Sequence, residues 1–262
     1  VIHLPHAVNM DTFSKIEGEE MDNFRQNSLA NAENKDKMVF FWNNRNARRK
    51  QSGTVIFWFK EFLDRVGHDN ACLIMHTDPK DMHGQDLEAI VHELGLNQGQ
   101  VMFSKDKVSP RSLAFLYNLA DCTINIADAE GFGLATLESL ACETPIIVTM
   151  TGGLQEQVTD GENWFGIGIE PSSRAVIGSQ DIPYINEDRI NGDEFVDSLE
   201  RFYNMTPEER TALGSAGRQH VLNNYSFEAY ESAWVDILTK VHENHGSWDT
   251  RKGYDCWRME EL

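Results

Sequence analysis

The sequence predicts an α/β fold in which a doubly wound parallel sheet carries helices on both faces and is followed by C-terminal helices. Short segments that are apolar throughout recur along the chain, and such segments are typical of strands buried on both faces of a sheet. Segments with apolar residues at helical spacing alternate with them, which indicates successive β-α-β units. The predicted strands cover residues 38–43, 71–76, 100–104, 122–127, 145–150 and 164–169.

The segments between the predicted strands carry recognisable helix ends. Ser52 is a candidate N-cap and Gly67 a stop signal for the first of these helices. Ser109 is placed to cap the third, with Pro110 at its first position. Right-handed crossovers between parallel strands then make the unit Rossmann-like. The predicted helices between strands cover residues 52–67, 86–96, 109–120 and 132–142.

The chain divides into three predicted parts. Residues 1–35 are polar and irregular after an apolar opening, so we expect a linker or arm. Residues 36–225 form the Rossmann-like domain, within which residues 171–191 break the alternation and predict an insertion or lid loop. Residues 226–262 predict a helix and a docking tail, because the tail is too rich in aromatic residues to be free. Those aromatic residues are Trp248, Tyr254 and Trp257.

The chain is strongly acidic. Lys and Arg together number 23 against 42 Asp and Glu, which gives a formal net charge of −19. Phosphate backbones and anionic lipid surfaces repel such a molecule, so the composition argues against a nucleic-acid partner. An anionic ligand would then require a local gathering of Arg and Lys, which makes any cationic cluster informative.

The sequence offers no sign of a membrane segment or a metal site. No window approaches 18 uninterrupted apolar residues, so no transmembrane segment is expected. Cys72, Cys122 and Cys142 lie in apolar runs, which predicts buried, reduced thiols and suits a cytoplasmic protein. Two pairs of histidines lie three residues apart but lack converging carboxylates or cysteines, so we expect no metal ion.

The most informative segment follows the strand predicted over 122–127. Glu130 ends that strand, and Gly131-Phe132-Gly133 makes a turn into a helix that begins near Leu134. Glycines let the backbone approach a ligand, and the free N–H groups and dipole of the first helical turn favour an anion such as a diphosphate. A chance glycine turn with a solvated glutamate is the alternative, and the strand–turn–helix context favours the anion site.

A second carboxylate lies within reach of the same turn. Glu138 comes eight residues after Glu130, about one helical turn past the start of the new helix. It is placed to accept hydrogen bonds from two vicinal hydroxyls such as those of a ribose, a role that carboxylates have in dinucleotide sites.

A basic cluster follows the first predicted strand. Residues 43–51 contain Arg45, Arg48, Arg49 and Lys50 in an otherwise acidic chain. Ligands bind at the carboxyl ends of parallel strands, so this loop and the Glu130 turn share one edge of the sheet. Arg45 and Lys50 are therefore predicted to clamp phosphates, with a solvated basic loop or an RNA-binding patch as the alternatives.

A third loop of the same kind follows the strand predicted over 145–150. Thr151-Gly152-Gly153 permits a close backbone approach, and Glu156 follows three residues later. This pattern is equally compatible with a site and with a plain β-α connection.

These segments, in this order, resemble the C-terminal domain of glycosyltransferase family 4, whose members have the two-Rossmann type B architecture. EGFGLATLE (130–138) is similar to the family's E-x7-E motif, and Arg45 and Lys50 match its Arg-x4-Lys pair. LPHAVNMDTF (4–13) resembles the family's interdomain segment. The resemblance extends over roughly residues 4–170 and leaves residues 171–191 unmatched.

The resemblance implies a role for each site residue. Glu138 would hold the nucleotide ribose, and Glu130 would lie near the hydroxyls of the donor sugar. Arg45 and Lys50 would grip the donor diphosphate and stabilise its departure, which makes them, with Glu130, the expected catalytic residues. The N–H groups of Gly131, Phe132, Gly133 and Leu134 would meet the sugar and the phosphates, and the nucleobase would lie near Ser104, Lys107 and Val108.

The resemblance also implies the activity. The family transfers a sugar from a nucleotide diphosphate sugar with retention of anomeric configuration, without a divalent metal and without a further cofactor. The donor would be UDP- or GDP-linked, and the acceptor would be a glycan, a lipid or a small molecule. Residues 1–35 would then connect to an N-terminal acceptor domain that precedes Val1, and this fragment alone would be inactive.

Two other functions remain open from the sequence. Nucleotide-sugar epimerases share the two-Rossmann form but need an acid and a base that the sequence does not identify. A nucleotide-sugar-binding module without transferase activity would retain the same donor-site residues.

Overall fold

A six-stranded parallel sheet forms the centre of the protein in the computed structural model, which describes residues 2–29 and 36–252. The spatial order β3-β2-β1-β4-β5-β6 puts β2 on one side of β1 and β4 on the other. The chain therefore reverses its direction of winding between β3 and β4, which confirms the predicted Rossmann-like topology. The strands are β1 (Met38–Asn43), β2 (Ala71–His76), β3 (Val101–Ser104), β4 (Cys122–Asn125), β5 (Ile146–Thr149) and β6 (Gly166–Ile169).

Helices cover both faces of the sheet, as predicted, because alternate strand residues point to opposite sides. Phe40 and Trp42 of β1 belong to one apolar cluster, and Val39 and Phe41 belong to a second cluster on the other face. All four side chains are fully buried. The helices are α1 (Glu19–Ser28), α2 (Ser52–Val66), α3 (Leu87–Glu93), α4 (Pro110–Leu119), α5 (Leu134–Ala141), α6 (Leu154–Val158), α7 (Gly192–Tyr203), α8 (Pro207–Asn224) and α9 (Phe227–His245).

The N-terminal segment is more ordered than the sequence suggested. The prediction of an irregular arm over residues 1–35 is wrong for the part that α1 occupies. Phe24 of α1 packs on Phe115 of α4 with ring centroids 5.3 Å apart, and Val8 and Phe13 are buried. Scattered apolar residues in a polar segment gave no periodic signal, although Val8, Phe13 and Phe24 pack on the domain.

The N-cap residue of α2 is Gln51 rather than the predicted Ser52. Ser52 is the first helical residue rather than the N-cap, and its hydroxyl donates a 2.7 Å hydrogen bond to the side chain of Asn46. The preceding Gln51 has φ 57°, a left-handed conformation that turns the chain sharply from a short 3₁₀ turn over Arg48–Lys50 into the helix. Gly67 ends the helix as predicted.

Residues 171–191 do not form a plain loop. They contain an antiparallel hairpin, β7 (Ser173–Ile177) and β8 (Ile185–Arg189), which corrects the prediction of a loop, while the alternative of an insertion stays a prediction. β8 is polar apart from Ile185, and both strands are largely exposed, so the hairpin lacks the buried apolar pattern from which a strand is recognised.

The C-terminal part is helical, as predicted, and α9 has no buried residue among those described. The expectation of a docked aromatic tail is tested only at Trp248, whose side chain is 83% exposed and lies beneath the Arg251 guanidinium. Tyr254 and Trp257 lie outside the described residues. Within the described ranges, no helix combines the length and hydropathy that crossing a membrane requires.

Candidate donor site at the carboxyl edge of the sheet

Three loops meet at one edge of the sheet. They follow β1, β4 and β5, which are successive neighbours in the sheet, so the carboxyl ends of these strands lie side by side. The first loop carries the basic cluster, the second the Glu130 turn and the third the Thr151-Gly152-Gly153 segment. The crevice outside these ends is where open parallel sheets bind their ligands.

The glycine turn is packed directly on the third loop. A Cβ atom on Gly152 would lie 1.7 Å from the Glu130 carbonyl oxygen, and Gly152 has φ 50°. The Gly153 N–H donates a 3.1 Å hydrogen bond to the Gly131 carbonyl oxygen. The third loop therefore supports the turn, which is the structural role that its glycines serve.

The other side of the turn is open. Gly131 has no atom within 4 Å of where its Cβ would be, and Leu134, the first residue of α5, is 48% exposed. Gly133 adopts φ 91° and links the turn to the helix. The start of α5 is therefore accessible from this side, and the first turn of a helix offers backbone N–H groups without an intrahelical partner.

Lys50 is brought to the glycine turn. Its ammonium group contacts the Glu130 carboxylate, and the two side chains are only 9% and 11% exposed. Asn125 donates a 3.4 Å hydrogen bond to the same carboxylate from the end of β4. Burial raises the pKa of Glu130, but the hydrogen bonds and charges of Lys50, Asn125 and Arg49 together lower it below its ordinary value.

Arg49 is a second cation at the turn that the sequence analysis did not single out for the site. Its guanidinium donates a 2.6 Å hydrogen bond to the Ala129 carbonyl oxygen and lies 3.9 Å from the Glu130 carboxylate. The basic cluster in the sequence contained the signal, but spacing alone could not decide which of its members reaches the turn.

Arg45 has a different partner. Its guanidinium donates hydrogen bonds of 2.7 and 3.2 Å to Asp81, which lies in the loop after β2. Hydrogen bonding from Arg45 lowers the pKa of the Asp81 carboxyl to about 2. Arg45 is thus on the predicted edge of the sheet, but it is directed toward the β2 side, and its predicted role as a phosphate clamp remains a prediction.

Glu138 is held by a relay of hydrogen bonds from two residues that the sequence analysis missed. The Asn43 amide donates to the Tyr117 hydroxyl at 2.8 Å, and that hydroxyl donates to the Glu138 carboxylate at 2.8 Å. Burial raises the pKa of Glu138, partly offset by the bond from Tyr117. The relay fixes the orientation of the carboxylate that is predicted to hold a ribose.

The residues predicted to lie beside a nucleobase follow β3. The Ser104 hydroxyl makes a 2.9 Å hydrogen bond with the imidazole Nδ1 of His76 at the end of β2. Lys107 and Val108 are exposed in the loop beyond. These positions are on the same sheet edge as the glycine turn, and their contact with a base remains a prediction.

The N-terminal segment reaches the glycine turn. The His6 ring packs edge-on against Phe132 with centroids 5.1 Å apart, and Phe132 also contacts Tyr225 at 5.8 Å. Sequence spacing could not reveal this contact, because 126 positions separate the two rings in the chain. Glu156, left open by the sequence, has an exposed side chain, and its backbone carbonyl oxygen accepts a 2.8 Å hydrogen bond from His220.

The three loops thus bring two cations and two carboxylates to one edge of the sheet. Lys50 and Arg49 lie at the Glu130 turn, and Tyr117 orients the Glu138 carboxylate. Anion and hydroxyl binding by these groups remains a prediction. Within residues 2–29 and 36–252, no group of three or more His, Cys, Asp or Glu side chains is arranged to hold a metal ion.

Comparison with known proteins identifies the family. The family model described as Glycosyl transferases group 1 matches residues 22–220, which is most of the chain. The chain belongs to the group 1 glycosyltransferase family. This confirms the resemblance found in the sequence, and the matched range includes the basic cluster, the glycine turn and the hairpin β7–β8.

Curated relatives of similar sequence are glycosyltransferases, and solved structures of low sequence identity share the fold. A D-inositol 3-phosphate glycosyltransferase of Corynebacterium urealyticum is 38% identical over 77 residues, which are 29% of this chain and 18% of the relative. Sucrose-phosphate synthase of Thermosynechococcus elongatus matches 92% of this chain and 52% of its own, with TM-score 0.71 and 21% identity. Anabaena HepE, solved with UDP and glucose, matches 90% and 56%, with TM-score 0.69 and 14% identity. The chain thus spans about half the length of these solved structures.

Proposed function

We propose that this chain is the donor-binding half of a retaining glycosyltransferase that uses a UDP- or GDP-linked sugar. The observation that carries the proposal is the convergence of Lys50, Arg49 and the α5 N-terminus on the turn at Glu130. That convergence supplies positive charge at one place on a molecule whose net charge is −19. Membership of the group 1 family and the UDP in the HepE structure support a nucleotide sugar as the anion.

In this proposal each group has a chemical role. When the bond between the sugar and the diphosphate breaks, negative charge develops on the departing diphosphate. Lys50, Arg49 and the amide N–H groups at the start of α5 stabilise that charge without a metal ion, and their fixed positions avoid the cost of reorganisation. Arg45 would join them on release from Asp81. Glu138 holds the ribose, and Glu130 lies beside the transferred sugar.

The acceptor site belongs to the half of the molecule that these residues do not supply. This chain covers only 52% and 56% of two solved structures that share its fold, so we propose that an N-terminal domain binds the acceptor and that the present chain alone is inactive. A glycan, a lipid or a small molecule are the acceptor classes considered, and the cytoplasm is the proposed location.

Calorimetric titration of this chain with UDP, GDP and ADP tests the donor site. We expect one nucleotide to bind with a dissociation constant between about 1 µM and about 1 mM. Glu138→Ala should weaken that binding at least tenfold, since charge-assisted hydrogen bonds to the ribose are lost. Glu231→Ala, which removes an exposed carboxylate from α9, is the matched control and should leave the affinity unchanged. Absence of binding by all three nucleotides would refute the donor-site proposal.

A second measurement separates transferase from binding module. The longer protein that contains this chain is incubated with the labelled donor sugar of the nucleotide that binds, and release of free nucleotide diphosphate is followed. Transfer to an acceptor supports the glycosyltransferase. Tight nucleotide binding without sugar release, across a panel of acceptors, would instead support a binding module.

A further inference from the structure

Three successive residues of β8 together contact all three loops of the candidate donor site. Glu187 contacts the loop after β1, Asp188 contacts the loops after β4 and β5, and Arg189 contacts the loop after β4. We propose that Glu187, Asp188 and Arg189 are positioning residues that fix these loops relative to one another for diphosphate binding. This inference rests on the donor-binding function proposed above, and we name the three residues the β8 clasp.

The first contact of the β8 clasp reaches the basic loop. The Glu187 carboxylate accepts hydrogen bonds of 2.9 and 2.5 Å from the two terminal nitrogens of Arg48, and a third of 3.0 Å from Arg189. The Glu187 side chain is only 4% exposed. This bidentate geometry restricts both the position and the orientation of Arg48, which lies two residues before Lys50.

The second contact reaches the loop after β4. The Asp188 backbone N–H donates a 2.7 Å hydrogen bond to the Asp128 carbonyl oxygen, and the Arg189 guanidinium lies 3.4 Å from the Asp128 carboxylate. Gln51 of the basic loop donates a 2.6 Å hydrogen bond to the same carboxylate. Asp128 lies two residues before Glu130, so this contact fixes the backbone segment that leads into the glycine turn.

The third contact reaches the loop after β5. The Thr151 hydroxyl donates a 2.8 Å hydrogen bond to the Asp188 carboxylate. Gly152, the next residue, packs against the Glu130 carbonyl oxygen so closely that a Cβ atom would not fit between them. The Asp188 carboxylate also accepts a 2.9 Å hydrogen bond from Arg174 of β7, and this bond lies within the hairpin.

The arrangement has a physical consequence for the site. An isolated two-stranded hairpin is marginally stable, so the hairpin depends on its contacts with the loops, and the loops depend on it in turn. The loop residues that the β8 clasp contacts lie within two positions of Lys50, Glu130 or Gly152. A shift of a contacted residue therefore also moves the neighbouring site residue through the backbone. Because precise placement of charge governs anion binding, a shift of about 1 Å in one loop reduces affinity for the diphosphate.

Two substitutions at the same carboxylate separate positioning from general stability. Thr151→Val removes the bond between Asp188 and a site loop, and Arg174→Ala removes the bond between Asp188 and its own hairpin. Titrations with UDP and GDP, and with UMP and GMP, are measured for each variant alongside its thermal midpoint. We expect Thr151→Val to weaken diphosphate binding five- to tenfold, with a smaller loss for the monophosphate, and Arg174→Ala to change neither by more than twofold.

Two further variants complete the test. Thr151→Ser restores the hydroxyl and should recover the diphosphate affinity, and Glu187→Gln should reproduce the loss because it weakens the hold on Arg48. If the unaltered chain binds neither nucleotide, the donor-site proposal fails. If the unaltered chain binds but Thr151→Val and Glu187→Gln bind equally well, the β8 clasp is refuted while the donor site stands. Equal losses for mono- and diphosphate, with a lowered thermal midpoint, also refute the clasp.

Discussion

The Lys50 ammonium group contacts the Glu130 carboxylate across 80 residues of sequence, and both side chains are about nine-tenths buried. This pair joins the loop after β1 to the loop after β4, on adjacent parallel strands. It is therefore both a link within the fold and the centre of the proposed anion site. The two roles make separate predictions.

Removing one partner of this pair should destabilise the protein strongly. Lys50→Met leaves the Glu130 carboxylate buried without its cation, and we expect the free energy of unfolding to fall by about 3 kcal/mol in urea denaturation. The double variant Lys50→Met with Glu130→Gln should cost less than the sum of the single changes. Lys60→Met, which breaks the exposed Lys60–Asp64 pair, is the control and should cost less than about 0.5 kcal/mol. Strict additivity of the two single changes would contradict the coupling.

The same pair predicts a defined dependence of stability on pH. The pKa of Glu130 is lowered in the folded state from its ordinary value of 4.5. The stability that it contributes is therefore present above pH 4.5 and is lost as the pH falls through the lowered pKa. The difference in unfolding free energy between the unaltered chain and Glu130→Gln should be constant from about pH 5.5 to about pH 7 and shrink below pH 4.5.

Glu138 provides the control of opposite sign for this titration. Burial raises its pKa above 4.5, so its charged form weakens the folded state. The difference between the unaltered chain and Glu138→Gln should decrease as the pH rises from 4.5 through the raised pKa. A difference for Glu130→Gln that follows the same direction as that for Glu138→Gln would rule out the ion pair as the cause.

The hydroxyl of Tyr117 should matter for nucleotide binding more than for folding. Tyr117→Phe removes the donor to Glu138, so we expect a loss of about 1 kcal/mol in stability and a weakening of nucleotide binding of about fivefold. Calorimetry at pH 7 measures the affinity, and urea denaturation measures the stability. Tyr203→Phe changes a half-buried tyrosine of α7 far from the glycine turn and should alter neither. Unchanged affinity in Tyr117→Phe would show that Glu138 needs no orienting partner.

Substitution by alanine should destabilise the protein at Gly152 but not at Gly131. Gly152→Ala introduces a Cβ 1.7 Å from the Glu130 carbonyl oxygen at a residue with positive φ, and we expect a stability loss of more than about 2 kcal/mol. Gly131→Ala meets open space, so its thermal midpoint should match that of the unaltered chain. Its nucleotide affinity should nevertheless fall, because the methyl group enters the space proposed for the ligand. Equal thermal midpoints for the two variants would argue against this packing.

The parts of the fold that could be predicted from sequence are those whose residues form a recognisable pattern within a short stretch of the chain. β1 and β2 have the predicted bounds because their residues are apolar throughout, as burial on both faces requires. The hairpin β7–β8 could not be predicted, because its strands are stabilised by ion pairs with distant loops rather than by an apolar face. Glu187 and Asp188 look like solvated loop residues until the fold places them beside Arg48 and Thr151.

The candidate site shows the same division. The glycine turn, Glu138 and the basic cluster were visible because each is a short motif after a predicted strand. The partners of those residues were not visible, because Tyr117 reads as an apolar member of an amphipathic helix and Asp81 lies 36 residues from Arg45. Sequence could therefore indicate which residues converge on the edge of the sheet, but not which cation meets which carboxylate.

The burial of Lys50 against Glu130 also bears on the speed and selectivity with which the proposed site can be filled. A lysine in solution samples many rotamers, and immobilising it on a ligand costs up to about 2 kcal/mol of side-chain entropy. Here that immobilisation has already occurred on folding, so in the proposed site a pyrophosphate would meet Lys50 in a fixed position beside Glu130, without that entropic cost. A multiply charged ligand would gain more from such a fixed cation than a singly charged ion such as chloride.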